Sequence, residues 1–505
     1  MKRYKYLVGW WMLLALLASC NESLEDTYSD YAGDGKIRYP GKCFDLSVKP
    51  GWQRLIVEWT NSVDATVKNV KLSWSASGVK RDTLLNRSAT SCDLRNLTDG
   101  TYRVDVSTVD EEGNESLVET NYGRPYTDEH EAMLSFTRGI TKHYRVKNNL
   151  VFFMDKWNEN FVEINLEYTD TEGKTITYPL TQEVFRKKFV VLPNVNTAKP
   201  ISITRLGKLE GCEDLIRFAP IVLGSEYLLT SDFKSVIQQR YGFSDQTVEG
   251  KAQLENFINT ATELEFDYSM GSLEDVLYFP RLKKIVVGKN RYLNRDYKTI
   301  ADISVLDQEA RTLMVLDVAN ELMGVRVERY NDHYFTESRP YIQEMGNPEL
   351  PELNVIPQSD IKEISCSVKD VNYDSGLTNL LDNNPATWWE PFVSTTIRTY
   401  ELLITLKELQ TIKGIKIAQK VFMIDDNKSP NYIPSTIQIQ VSHDKIMWKD
   451  LTHVNENKIG QGSGEVTLLP MAAPGDIQYV RVILNDRVLN GICDIMLADI
   501  TLYKD

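Results

Sequence analysis

Histidine is scarce in this chain: five in 505 residues, His130, His143, His333, His443 and His453. None belongs to an HExxH motif, and there is neither a Gly-x-Ser-x-Gly elbow nor a phosphate-binding Gly-x-x-x-x-Gly-Lys loop. The usual signatures of zinc hydrolysis, serine nucleophilic catalysis and nucleotide handling are therefore missing. Carboxylates are plentiful, but nothing marks two of them as a glycosidase pair, and the chain is not expected to be an enzyme. Cysteine is sparse too. Besides Cys20 there are Cys43, Cys92, Cys212, Cys366 and Cys493, spaced too widely for a CxxC metal or redox motif. No basic cluster stands out: 57 Lys and Arg face 71 Asp and Glu, for a formal charge of −14. Phosphate neutralisation needs a concentrated basic face, so no nucleic-acid partner is expected, nor electrostatic attraction to anionic lipid. After Cys20 no apolar run approaches membrane-spanning length.

What is present points to several β-rich domains. At 505 residues the chain exceeds what one hydrophobic core organises, so three to five domains are expected. Apolar residues make up 42 %, charged 25 % and aromatic 10 %, with 25 tyrosines, a soluble composition that leans towards strands.

Residues 1–20 carry Lys2, Arg3 and Lys5, then an uncharged run from Leu7 to Ala18. As a helix that run would span only ~18 Å of a ~30 Å hydrocarbon core, which makes it a signal peptide. Leu17-Ala18-Ser19-Cys20 resembles the lipobox of bacterial lipoproteins. The resemblance implies cleavage before Cys20, acylation of that residue, and an outer-membrane protein held by lipid and facing the cell exterior. The segment 21–39 holds Glu22, Glu25, Asp26, Asp30 and Asp34. It reads either as a solvated tether or as a signal resembling the surface-sorting stretch of lipoproteins in glycan-harvesting Gram-negative bacteria. Disulfides are permitted in that compartment, and Cys366 with Cys493 is the pair to test first, because both fall in the last domain.

Residues 40–122 alternate apolar positions at Phe44, Leu46 and Val48, at Leu55, Val57 and Trp59, and at Val70, Leu72 and Trp74, a sandwich pattern. The stretch Leu94-x-x-Leu97-x-x-Gly100-Thr101-Tyr102-x-Val104-x-Val106 resembles the tyrosine-corner segment of fibronectin type III modules. That implies core roles for Trp59 and Tyr102. Residues 123–224 repeat the plan without the tyrosine and are fibronectin-like. In 225–356, Leu282-x-x-Ile285-x-Val287-x-x-Asn290 matches a leucine-rich-repeat core. Leu264-x-Phe266, Leu322-x-x-Val325-x-Val327 and Leu350-x-x-Leu353-x-Val355 echo it at irregular spacing. A solenoid with insertions and an α/β segment both fit, with a helix expected over Asp232 to Arg240.

The last segment, 357–505, carries Asn379-Leu380-Leu381-Asp382-Asn383-Asn384-Pro385-Ala386-Thr387-Trp388-Trp389. This resembles the D-G-N-x-x-T-x-W signature of the coagulation-factor type C, or discoidin, family. Four more matches follow in order: Leu402 to Leu406 with Ile412 to Ala418, Pro434 to Asp444 with Trp448, Tyr479 to Val482, and Leu497 to Tyr503. The resemblance implies an eight-stranded jelly-roll β-sandwich. The fold class is thus mainly β: two fibronectin type III-like sandwiches, a leucine-rich-repeat-like or α/β middle, and a discoidin-like terminus.

Carbohydrate-binding members of that family often hold a structural calcium, and by resemblance Asp382, Thr387 and Asp499 would be its side-chain ligands. Asn383 replaces the usual glycine, although asparagine tolerates left-handed backbone, and Asp499 is one methylene shorter than the usual glutamate. A turn in which Asp382 bonds its own backbone is the alternative. Ligand contact in the family comes from loops at one end of the sandwich: here the loop around Asn372 to Asp374, the segment Glu390 to Arg398, and Phe422 to Tyr432. Tyr373, Asp425, Asn427, Asn431 and Tyr432 are the candidate contacts, since an aromatic face stacks on a sugar ring while carboxylates and carboxamides bond its hydroxyls. Trp389 and Trp448 are expected in the core. The implied partner is a glycan; the alternative is a scaffold that holds neighbouring outer-membrane proteins, with the membrane reached through the lipid anchor alone.

Overall fold

The computed structural model describes residues 39–292, 303–349, 351–369, 373–422, 432–452, 459–460 and 462–504. The segments expected as signal peptide and acidic tether, with Cys20, lie outside them up to residue 38. Among the described residues no helix is long and apolar enough to cross a membrane.

The first module comprises β1 (Phe44–Gly51), β2 (Arg54–Thr60), β3 (Val67–Ala76), β4 (Val79–Asn86), β5 (Ser91–Arg95), β6 (Tyr102–Asp110) and β7 (Glu119–Gly123). One sheet runs β1-β2-β5 and the other β4-β3-β6-β7. Period-two alternation turns Leu55, Val57 and Trp59 of β2 inward. Phe44 does not follow the pattern. The β1–β2 register shifts between Phe44 and Ser47, where Asp45 has φ 57°, and this irregularity leaves Phe44 exposed while Leu46 is buried. Tyr102 is buried, and its hydroxyl accepts the Thr98 amide at 3.2 Å, closing the tyrosine corner.

The second module has β8 (Ile140–Val146), β9 (Asn149–Met154), β10 (Phe161–Thr169), β11 (Thr175–Pro179), the short helix α1 (Gln182–Lys187), β12 (Phe189–Leu192), β13 (Ser202–Gly207), β14 (Ile216–Arg217) and β15 (Ile221–Val222). Its sheets, β12-β9-β8 and β11-β10-β13 with β14 and β15 both on β13, repeat the strand order of the first with the final strand split. Asp214 joins the two modules: it accepts Arg54 Nη2 at 2.8 Å, Arg54 Nε at 2.9 Å and the Trp52 amide at 2.8 Å.

The middle is α/β. It contains α2 (Ser231–Tyr241), α3 (Val248–Thr260), β16 (Glu263–Phe266), β17 (Lys284–Val287), β18 (Arg291–Tyr292), α4 (Glu309–Met323), β19 (Arg326–Tyr330) and β20 (Ile342–Gly346). The strands β16-β17-β19-β20 form a parallel sheet in chain order. Three of them fall on the apolar motifs at 264, 285 and 327, and α2 covers the expected helix. The last echo does not join this sheet: β21 (Asn354–Val355) pairs antiparallel with Lys504 and Tyr503 of the final domain. The fourth parallel strand is instead β20, whose exposed and half-buried residues give little apolar signal. Tyr144, Val146, Val151 and Phe153 of the second module share one core with the middle segment, so those two regions pack as a unit.

The terminal domain adds β22 (Ile361–Cys366), β23 (Thr399–Ala418), β24 (Thr436–Ser442), β25 (Lys449–Asp450), β26 (Val466–Asn485), β27 (Val488–Leu489), β28 (Ile492–Cys493) and β29 (Asp499–Lys504). The 20-residue strands β23 and β26 run through both layers, with register breaks near residues 405–414. In one portion β22 pairs with β23 and β24, extended by β25, pairs with β26; in the other, β23 pairs with β29, which carries β21. Leu402, Ile404, Val480 and Val482 face Ile415, Ile417, Ile500 and Leu502 across one buried core. Trp389 lies in it, its ring edge-on to Tyr400 at 5.3 Å.

The eighth strand of this sheet comes from the middle segment. β18 pairs antiparallel with β26, Arg291 opposite Thr467 and Tyr292 opposite Val466. Arg291 grips Glu465 with two prongs, Nε–Oε1 at 2.9 Å and Nη2–Oε2 at 3.4 Å, and Glu465 is completely buried. The Gly462 amide and Thr467 hydroxyl donate to the same carboxylate at 3.0 and 2.8 Å. A two-pronged, charge-assisted contact fixes geometry as well as energy. Middle segment and sandwich are therefore locked together.

Candidate functional site

Sheet register puts Cys366, Thr399, Thr436 and Asn485 at one end of the sandwich, together with Ala418 and Asp499 of the other layer. The described parts of the connections leaving those positions, within 367–398, 419–435 and 486–498, therefore start and end at the same rim. The first and third are stitched together there, Ser394 and Cys493 exchanging backbone hydrogen bonds at 3.0 and 2.7 Å. Cys493 is a buried free thiol, so the pair to test first, Cys366 with Cys493, is not bridged. Its strand is tied to the rim loop, whereas Cys366 faces Leu402 in the sheet.

On this rim Tyr373 meets Phe392 edge-on, centroids 5.7 Å apart, and the rings are 43 % and 58 % exposed. Glu390 stands beside them, its amide bonded to the Ser375 carbonyl at 2.9 Å and its carboxylate to the Trp388 indole N–H at 3.0 Å. Lys420 lies 3.8 Å over the Trp388 ring, a cation–π contact. Tyr432 is half-buried in a small cluster with Phe422, Ile433, Met496 and Trp388. Tyr373 and Tyr432 thus reach the same end, the first exposed and the second packed. Asp425, Asn427 and Asn431 lie outside the described residues. Phe392 and Trp388 were not singled out from the sequence, although an aromatic after Pro391 in a loop already expected to meet ligand was the available signal. Trp448 is not in the core: it sits half-exposed after the β24 turn, its indole donating to the Lys445 carbonyl and its face covered by Arg481 at 3.9 Å. A one-residue reading of a tryptophan could not foresee that an arginine on β26 would shield it.

The residues of the implied calcium site come close to one another, but not as a cage. Asp382 Oδ1 accepts the Asn384 amide at 2.9 Å and Oδ2 the Thr387 hydroxyl at 2.7 Å, so the loop closes on itself in an Asx turn. Asn383 adopts φ 55°, the left-handed conformation asparagine tolerates. Its Oδ1 receives the Lys416 ammonium at 3.1 Å, which also lies 3.5 Å from Asp499 Oδ2. Among the described residues no three His, Cys, Asp or Glu converge as metal ligands. A divalent ion about 4 Å from that ammonium would be repelled by roughly 8 kcal/mol at an effective dielectric near 20. This donor set does not fit a calcium ion.

A cleft of about 900 Å³ also opens between the second module and the middle segment, lined by Lys142, Asp232, Glu274, Asp307 and Arg311 among others. Its cations are already engaged within the protein: Lys142 lies 2.9 Å from Glu274, and Arg311 bonds the same carboxylate. That lining belongs to the seam between domains.

A family model described as a domain of unknown function, DUF4998, matches residues 20–204. No curated protein matches the chain. Among solved structures, the chain is similar to a family 32 carbohydrate-binding module of a family 31 glycoside hydrolase from Clostridium perfringens, at 14 % identity, covering 29 % of this chain and 97 % of that one, TM-score 0.22. It is also similar to the C-terminal domain of a chitobiase from Bacteroides fragilis, at 16 % identity, covering 30 % and 98 %, TM-score 0.22. A two-module fibronectin type III segment of chicken tenascin is 17 % identical over 36 % of this chain and 100 % of that one, TM-score 0.19.

Proposed function

We propose that the chain is a non-catalytic, lipid-anchored surface protein that binds a glycan at the rim of its terminal sandwich. The observation that carries this reading is the exposed Tyr373–Phe392 pair beside Asp374 and Glu390. Rings offer a flat apolar face to sugar C–H groups, and carboxylates accept from sugar hydroxyls, an arrangement suited to a neutral, polar ligand. The anchor rests on the Leu17-to-Cys20 tetrapeptide and the charged and apolar segments before it. The whole chain, presented to an array of host and plant glycans, should be retained by at least one class. Retention by none would sink the reading.

One observation favours a second reading, a protein-binding scaffold. Val393, Ile397, Val488 and Ile492 are exposed on the two rim connections, and such apolar residues suit a protein partner better than a sugar. A partner recovered from solubilised outer membranes regardless of competing sugar would favour it.

A further inference from the structure

We propose that the Lys416 ammonium is a built-in cation of the terminal sandwich, bracing the Asp382–Thr387 loop against the sheet where the family resemblance implies calcium, so that this fold needs no metal there. Lys416 stands on β23 between Ile415 and Ile417, both fully buried in the core. Strand alternation sends its side chain to the opposite face, where it is 12 % exposed beneath the loop. There it joins the two parts a bound ion would have to join: Asn383 Oδ1 from the loop at 3.1 Å, and Asp499 Oδ2 from β29 at 3.5 Å. The Thr501 hydroxyl, 3.2 Å from Asn383 Oδ1, bonds Asp499 Oδ2. With Lys416 serving Asn383, the single hydroxyl proton is available to Asp499.

Charge balance argues the same way. A divalent ion would call on both Asp382 and Asp499, but Asp382 spends its two oxygens on the Asn384 amide and the Thr387 hydroxyl. One buried carboxylate then remains for one ammonium. A tethered cation is also present whenever the chain folds, whereas a bound ion depends on its concentration.

The test uses the whole chain. Thermal unfolding is measured in calcium and in the chelator EGTA for the wild type, Lys416→Met, Asp499→Asn and the double variant. The wild type should melt alike in both media. Lys416→Met should melt several degrees lower, and the double variant should lose less than the two single losses added. A wild-type melting point raised by calcium and made indifferent to it by Asp499→Asn would overturn the proposal. So would strictly additive losses, which would show that Lys416 and Asp499 do not act on each other. If Lys416→Met does not fold, Lys416→Arg replaces it: a longer cation should retain most of the wild-type melting point if charge is what matters, and losing as much as Asp499→Asn or more would count against the proposal.

Discussion

Two buried acids in the terminal sandwich behave in opposite ways. Burial opposes the charge of Glu465, yet the Arg291 guanidinium, the Thr467 hydroxyl and the Gly462 amide together hold its carboxyl below the ordinary value. At Asp499 burial wins and pushes the carboxyl up; the Thr501 hydroxyl and Lys416 ammonium pull the other way without overcoming it. Each has a cation nearby. The difference lies in how directly the oxygens are satisfied: Glu465 receives donors on both, while Asp499 Oδ1 is buried without a hydrogen-bond partner. A nearby positive charge does not by itself hold a buried carboxyl below its ordinary value; a charge joined by a complete set of hydrogen bonds does.

Breaking the stronger site should have the largest effect. Arg291→Met would leave Glu465 charged in the core, and removing one partner of a buried pair costs about 3–5 kcal/mol. Urea unfolding of the whole chain should show that loss in the transition shared by the middle segment and the sandwich. The isolated fragment 357–505 lacks β18 and should show the same weakness; if it proves as stable as it is in the whole chain, the seam contributes little.

Glu465→Gln sharpens the comparison through pH. Because the folded-state pKa of Glu465 is depressed, its contribution is full above the ordinary value of about 4.3 and is lost as pH falls through the folded value. Asp499 has the opposite sign: its raised pKa favours folding in acid and is unfavourable once pH rises above it. The wild type should therefore weaken between about pH 5 and 3, and Glu465→Gln should flatten that slope while costing roughly 2 kcal/mol at neutral pH. Asp499→Asn should steepen it, since it removes the acid whose protonation helps the fold. Melting curves across this range for the three proteins decide the matter, and identical slopes would contradict the assignment.

The same contrast shows what the sequence could and could not disclose. Sandwich layers were legible because inward residues repeat every second position, as at Leu55, Val57 and Trp59, and because Tyr102 and Trp389 sit in extended local patterns. The parallel middle strands were legible where Leu264, Ile285 and Val327 are fully buried, and β20 was not, since none of its residues is buried and its Ile342 and Met345 do not alternate. Arg291 and Glu465 lie 174 positions apart, and neither stands in a motif; only the crossing of β18 into the sandwich brings them together. Asp382 and Thr387 were legible as neighbours on one turn, whereas the lysine opposite them is set by the β23–β29 register, which pairs Lys416 with Thr501. The rim loop that carries Phe392 is held by the stitching of Ser394 to Cys493, a contact across 99 positions that no local pattern encodes.

The smallest change in stability, and the sharpest separation of fold from function, is expected at the rim. Phe392 is 58 % exposed and belongs to no core cluster, so Phe392→Ala should shift stability by no more than about 0.5 kcal/mol. If its ring and that of Tyr373 form a sugar platform, losing one should weaken glycan retention by roughly tenfold, about 1.4 kcal/mol. Arg291→Met acts in the opposite sense, on stability and not on ligand contact, so at a temperature where it remains folded its affinity should be near that of the wild type. Paired melting curves and glycan titrations of these two variants therefore form a crossed test. Phe392→Ala that binds normally would remove the platform from the rim, and Arg291→Met that loses binding while folded would show that the seam, too, shapes the site.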